Sequence, residues 1–127
     1  MPKVEIRQLT DIDGMLILWP YLKEIPMINT TSNAVLAECL NGTSGVITGR
    51  LDDELCGFMV YQIHGENLSV IALYLPNHTK EFFDEFMVFC RAHKVKRLFA
   101  VSQAEPKAYA RLLGLEILYT TFKREVN

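Results

Sequence analysis

The stretch from Gly45 to Leu75 constrains the fold of this chain more than any other. Three runs rich in β-branched and aromatic residues follow one another there, Gly45–Leu51, Leu55–His64 and Leu68–Leu75. Only Asp52-Asp53-Glu54 and Gly65-Glu66-Asn67 separate them. Connections that short cannot carry the chain across a sheet, so the runs pair as an antiparallel meander. The third, Leu-Ser-Val-Ile-Ala-Leu-Tyr-Leu, is apolar on both faces. That pattern predicts a central strand with a covering layer on each side.

The flanking segments supply those layers. Lys3 to Leu9 alternates as a short strand. Thr10 then offers an N-cap oxygen, with Asp13 at the third helical position. Ile12, Met15, Leu16, Leu18, Trp19 and Leu22 recur with helical spacing, and Pro20 predicts a kink or an end near Trp19. Pro26 extends the break. Thr30-Thr31-Ser32-Asn33 opens a second short helix, about Asn33 to Leu40, which stops at Asn41-Gly42.

After Pro76-Asn77-His78-Thr79 comes the clearest helix of the chain. Phe82, Phe83, Phe86, Phe89 and Cys90 form one apolar stripe. Glu81, Asp84 and Glu85 lie early in it, and Arg91, His93 and Lys94 late, so both ends suit the helix dipole. Arg97 to Ser102 reads as a buried strand, Pro106 to Leu113 as a short helix closed by Gly114, and Leu115 to Val126 as a final strand. The sum is one α/β (α+β) domain over residues 1–127. Its mixed, mostly antiparallel sheet has about six strands flanked by about four helices, in the order β-α-α-β-β-β-α-β-α-β.

Composition fits that picture and removes several function classes. With 127 residues, 50% of them hydrophobic, the chain buries a real core, and its net charge of −2 draws it toward neither nucleic acid nor anionic membrane. The basic cluster Arg91, His93, Lys94, Lys96 and Arg97 is explained by its place at a helix C-terminus, so a nucleic-acid partner is not expected. No apolar run approaches the length of about eighteen residues that a membrane span needs, and the first residues carry no apolar signal core. The expected location is the cytoplasm, the host's if the gene is viral. The three cysteines, Cys39, Cys56 and Cys90, form no CxxC motif and read as free buried thiols. Cys90 and His93 stand at a metal-ligand spacing, but the phenylalanine stripe claims Cys90 for the core and no second pair completes a site, so no metal is expected. His64, with Glu66 in the adjacent turn, suits either a general base or two solvated turn residues.

The element order, at this length, resembles the GNAT family of N-acetyltransferases along nearly the whole chain. Three segments carry the resemblance. Asp53-Glu54-Leu55-Cys56-Gly57-Phe58-Met59-Val60-Tyr61 is similar to the family's second hairpin strand, with a glycine shortly after the turn. Ala72-Leu73-Tyr74-Leu75-Pro76 is similar to the end of its central strand, and Tyr109-Ala110-Arg111-Leu112-Leu113-Gly114-Leu115 to its last helix. The compact form also resembles short GNAT-like proteins of tailed bacteriophages.

The resemblance implies transfer of an acetyl group from acetyl-coenzyme A to an amine on a small molecule or a protein. It implies that the backbone of Leu73, Tyr74 and Leu75 pairs with the pantetheine arm, and that His78, Thr79 and Lys80 receive the pyrophosphate at a helix N-terminus. It places the acceptor pocket near Trp19, Tyr21 and Met27. The family's acid is a tyrosine four residues before the last helix's glycine; Ala110 holds that place here, and its neighbour Tyr109, roughly 100° away around the helix, is either the acid, if a bulge orients it, or an aromatic that packs its ring and exposes its hydroxyl. The family's cofactor loop reads Arg or Gln, two residues, Gly, one residue, then Gly or Ala. The matching stretch, Asn77 to Phe83, contains no glycine, and Glu81 adds a carboxylate where phosphates would sit. That departure raises a second expectation, a GNAT-fold protein without catalysis that acts as a protein-interaction or phage structural module.

Overall fold

The computed structural model describes residues 3–25, 30–101, 116–118 and 121–126. The meander is present: β2 (Gly45–Leu51), β3 (Glu54–His64) and β4 (Asn67–Tyr74) pair in sequence, each antiparallel to the last. β1 (Glu5–Leu9) closes one edge against β2. Beyond β4 the sheet continues through β5 (Arg97–Val101), β7 (Thr121–Glu125) and β6 (Glu116–Leu118), in the order β1-β2-β3-β4-β5-β7-β6. Among the described residues β4 and β5 make the one parallel pairing, as a crossover through an intervening helix requires.

The sheet therefore has seven strands among the described residues. The single strand expected over Leu115–Val126 is two, folded back on each other with Leu118 opposite Thr121. The physical reason is partner length: β5 offers five residues, which Thr121–Glu125 occupies in full, so Glu116–Leu118 pairs with β7 instead. The helix expected over Pro106–Leu113 lies outside the described residues.

Helices cover both faces. α1 (Ile12–Ile17), α2 (Trp19–Leu22) and α3 (Ser32–Leu40) lie on one, and α4 (Thr79–Ala92) on the other. The cap of α1 is Asp11, not Thr10: its carboxylate accepts the Gly14 amide at 2.8 Å. Asp11 has the extended backbone that a cap needs (φ −93°, ψ 143°), so the helix starts one residue later than the spacing suggests. The break at Pro20 is real, since the ring suits the first turn of a new helix and α2 begins there. Thr31 caps α3 through the Ala34 amide.

Strand alternation divides the core in two. Phe58, Val60 and Ala72 face α1–α3 and pack with Met15, Leu18, Leu22, Val35 and Cys39. Met59, Tyr61 and Leu68 face α4 and pack with Phe82, Phe86, Met87 and Cys90. Of the expected stripe, Phe82, Phe86 and Cys90 are fully buried, while Phe83 and Phe89 pack at the margin.

Candidate active site

The two ends of β4 are built differently. From Asn67 to Val70 the strand pairs on both sides, with β3 and with Arg97–Ala100 of β5. From Ala72 to Tyr74 its ladder partners among the described residues are all in β3. The change coincides with a bulge: Tyr61 stands opposite Val70 and Val60 opposite Ala72, which leaves Ile71 as the extra residue. A bulge bends its strand and sharpens the local twist. Among the described residues, the backbone groups of Leu73 and Tyr74 that point away from β3 have no ladder partner.

Gly57 sets how the chain leaves the strand. A Cβ there would stand 2.4 Å from the Tyr74 carbonyl oxygen and 2.3 Å from a methyl carbon of Leu75. Only glycine lets β3 and the exit of β4 lie this close.

The exit leads straight into α4. His78 is the N-cap residue and holds a left-handed backbone (φ 59°, ψ 38°). That conformation favours glycine, although histidine adopts it more readily than most residues do. No side chain caps the helix. The first helical hydrogen bond runs from the Phe82 amide to the His78 carbonyl at 2.9 Å, so the amides of Thr79, Lys80 and Glu81 are left for another acceptor. The rings that could have filled the space are engaged elsewhere. Phe82 lies against Gly49 of β2 and Val4, and Phe83 meets Phe82 and Phe86 edge-on, with centroids 5.7 and 5.8 Å apart. Lys80 is exposed and turns along the helix to Asp84 at 3.0 Å, and that pairing raises its ammonium pKa.

These features fit a pantetheine diphosphate with one reservation in the chemistry. Free strand backbone suits the amides of a pantetheine arm, and a helix N-terminus of uncapped amides suits a pyrophosphate. The exposed Glu81 opposes the phosphates by about 1 kcal/mol or more.

The other expected residues fall elsewhere. His64 and Glu66 sit at the start of β4, a strand's length of about 25 Å from its exit. There the His64 ring stands 3.3 Å from the Gln62 amide oxygen and Glu66 pairs with Lys96 at 3.0 Å. The structure does not bring this pair to the gap. Tyr109 and Met27 lie outside the described residues. Cys90 is buried, His93 Nδ1 stands 2.9 Å from the Phe89 carbonyl oxygen, and no cluster of three metal-binding side chains occurs among the described residues. Burial, reinforced by Glu38, pushes the Cys39 thiol up to about 11, and burial with a smaller contribution from Glu81 raises Cys56, so neither is a ready thiolate.

Sequence reasoning names both Tyr21 and Tyr74, but not their contact with each other. Tyr74 projects to the α1–α3 face, where it stacks on Phe58 and meets Tyr21 of α2, with centroids 5.6 and 5.2 Å away. A separate open groove of about 440 Å³, lined by Leu9, Ile12, Met15, Leu40 and Tyr61 among others, lies at the far corner of the sheet and contains none of these residues. No helix of the described residues is long and apolar enough to cross a membrane.

Comparison with solved structures agrees with this architecture. The ribosomal-protein-S18-alanine N-acetyltransferase of Escherichia coli superposes with a TM-score of 0.75 at 9% identity, over 98% of this chain and 94% of its own. Tetrahymena GCN5 gives 0.70 at 9% identity, over 100% and 96%. The PaiA N-acetyltransferase of Thermoplasma acidophilum, solved in complex with coenzyme A, gives 0.64 at 13% identity, over 97% and 99%. No protein-family model matches the sequence, and no curated protein does. The chain has the GNAT fold, in a form whose sequence has diverged far from the solved examples.

Proposed function

We propose that this protein is an N-acetyltransferase that uses acetyl-coenzyme A and a primary amine. The observation that carries the reading is the half-paired strand: among the described residues β4 keeps β3 through Tyr74 and has no β5 partner after Val70, and the chain then enters a helix whose N-terminus no side chain caps. The coenzyme A complex of the Thermoplasma protein, on the same fold, supports it.

The chain's own residues divide the work. The backbone of Leu73, Tyr74 and Leu75 holds the pantetheine arm. The amides of Thr79, Lys80 and Glu81 receive the pyrophosphate, and Lys80 leaves Asp84 to offset the charge of Glu81. His78 adds a side chain beside the same amides. Bound acetyl-coenzyme A supplies a thioester whose carbonyl carbon bonds to the amine nitrogen as the carbon–sulfur bond breaks. Tyr109 is the proposed donor of the proton that the departing sulfur takes up, and the amine loses one of its own.

Calorimetry with acetyl-coenzyme A tests the reading. A dissociation constant on the order of micromolar is expected, weakened roughly tenfold or more in Lys80→Glu. No heat with the cofactor at about millimolar would overturn it. The glycine-free loop and Glu81 would then favour a protein-docking module built on the same fold.

A further inference from the structure

We propose that β1 is a self-recognition strand: a second copy of this chain adds to its free side, antiparallel about a two-fold axis at Ile6. The pairing stands apart from the acetyl-transfer reading above and does not depend on it.

β1 ends the sheet, and among the described residues nothing pairs with its outer side. Such an edge offers unpaired backbone groups to any other strand, and folds normally blunt it. The opposite edge is blunted by its length, since β6 has three residues. β1 has five, pairs with β2 without a bulge and contains no proline. Glu5, Arg7 and Gln8 are exposed, so no helix covers them.

Charge is the protection that remains, and its pattern suits one partner. Glu5, Arg7 and Leu9 alternate with Val4, Ile6 and Gln8, so the acid and the base share a face, two residues apart. Within the chain they pair along the strand, with Arg7 Nε 2.7 Å from Glu5 Oε1. A strand with charges of one sign would repel its own copy. With one of each, antiparallel pairing centred on Ile6 sets Glu5 opposite Arg7 of the partner subunit, and Arg7 opposite Glu5 of the partner subunit. Directly opposed side chains stand about 5 Å apart, closer than the roughly 7 Å between neighbours two apart on one strand. An axis at Glu5 or at Arg7 would instead set like charges face to face, so the charges select one register.

The α4 side of the strand adds apolar surface. A groove of about 320 Å³ between β1 and α4 is lined by Val4, Ile6, Val88 and Phe89 together with Lys3, Glu5 and Glu85. Val88 is 50% exposed there. The two-fold axis brings the second groove beside the first, which gives Ile6 and Val88 cover. β1 lies three strands from β4, so the pairing leaves the C-terminal half of β4 free in each copy.

Sedimentation velocity from about 1 to 300 µM tests the pairing, with a dimer dissociation constant on the order of ten micromolar expected. Each charge acts twice across the axis, so Arg7→Glu and Glu5→Arg should each weaken the dimer roughly tenfold or more. Mixed in equal amounts, the two variants set two acids against two bases and should sediment as a dimer again. The double variant, Glu5→Arg with Arg7→Glu, restores opposite charges in the same register and should self-associate like the parent. Both side chains are more than half exposed, and recovery on mixing also shows that each variant is folded. A parent chain still monomeric at about 300 µM overturns the proposal. So does a dimer that Arg7→Glu leaves intact, since its interface would lie elsewhere. A loss that mixing and the double variant do not both reverse also overturns it, since the register would be wrong.

Discussion

The two halves of β4 share a strand and a sheet yet have opposite designs. The first half is closed on every side. It pairs with β3 and β5, the Arg97 guanidinium donates to the Asn67 side chain at 2.8 Å, and the Lys96 and Arg97 amides both donate to the Glu66 carbonyl. The second half has one partner among the described residues, a bulge at its base, a left-handed residue at its exit and a helix start without a side-chain cap. Backbone groups are strong hydrogen-bonding groups, and a fold leaves them unpaired at a cost. The closed half holds the sheet together so that the open half can keep its backbone available. On the acetyl-transfer reading proposed above, stability and cofactor binding are thus separated along eight residues.

Substitutions on the two sides of that division should behave differently. The largest effect is expected at the closed end. Leu68 is 0% exposed and stands between Ile63 and Leu98. Leu68→Ala should cost about 2–5 kcal/mol in urea unfolding, with acetyl-coenzyme A affinity unchanged in the fraction that stays folded. Gly57→Ala comes next, at about 1–3 kcal/mol, because its Cβ must displace the Tyr74–Leu75 exit. Here cofactor affinity should fall together with stability, which calorimetry on the folded variant reads. If Leu68→Ala weakened the cofactor and Gly57→Ala did not, the division would be wrong.

The parts of the fold legible in the sequence are those encoded locally. Short polar turns between β-rich runs specified the meander, and the phenylalanine spacing specified the buried face of α4. Pro20 marked the break between α1 and α2. The open half of β4 was only partly legible. Its backbone was implied by resemblance, but the bulge at Ile71 has no residue signature, since it arises from a register mismatch between β3 and β4. The Tyr21–Tyr74–Phe58 cluster joins the β3–β4 hairpin to α2, which is distant in sequence, and no local pattern announces that contact. The place of His64 and Glu66 was illegible for the same reason: residue chemistry alone suits a base or a solvated turn, and only the direction of β4 shows that they lie at the end opposite Tyr74. The final hairpin was read as one strand because five-residue β5, which limits its length, cannot be sized from the sequence of its partner.

A smaller effect of opposite sign is expected at the open end. His78 holds φ 59°, where a side chain costs about 1–2 kcal/mol and glycine costs little of that. Part of the gain is offset by the greater freedom of glycine in the unfolded chain. His78→Gly should therefore stabilise the fold by about 0.5–1 kcal/mol, seen as a rise in midpoint denaturant at constant slope. Acetyl-coenzyme A affinity then separates two uses of the loop. A fall would mean that the imidazole itself contacts the ligand, and no change would mean that the backbone amides suffice.

The smallest effect sharpens the account of the closed end through pH. The hydrogen bond from Lys96, and then its charge, hold the Glu66 carboxyl below its ordinary value of 4.5. A carboxyl lowered in the folded state favours folding above the unfolded value, and the contribution is lost as pH falls through the lower, folded one. Comparing Glu66→Gln with the parent chain, the difference in thermal midpoint should be largest near neutral pH and vanish in acid below the folded value. It should also shrink with added salt, since both side chains are exposed to solvent. The Glu66 carbonyl, which takes the Lys96 and Arg97 amides, is untouched by the substitution. The hairpin should therefore keep its register, and hydrogen exchange at those two amides should stay protected. Were that protection lost with the side chain, the closed end would depend on the surface ion pair, and the backbone pairing would not be what closes it.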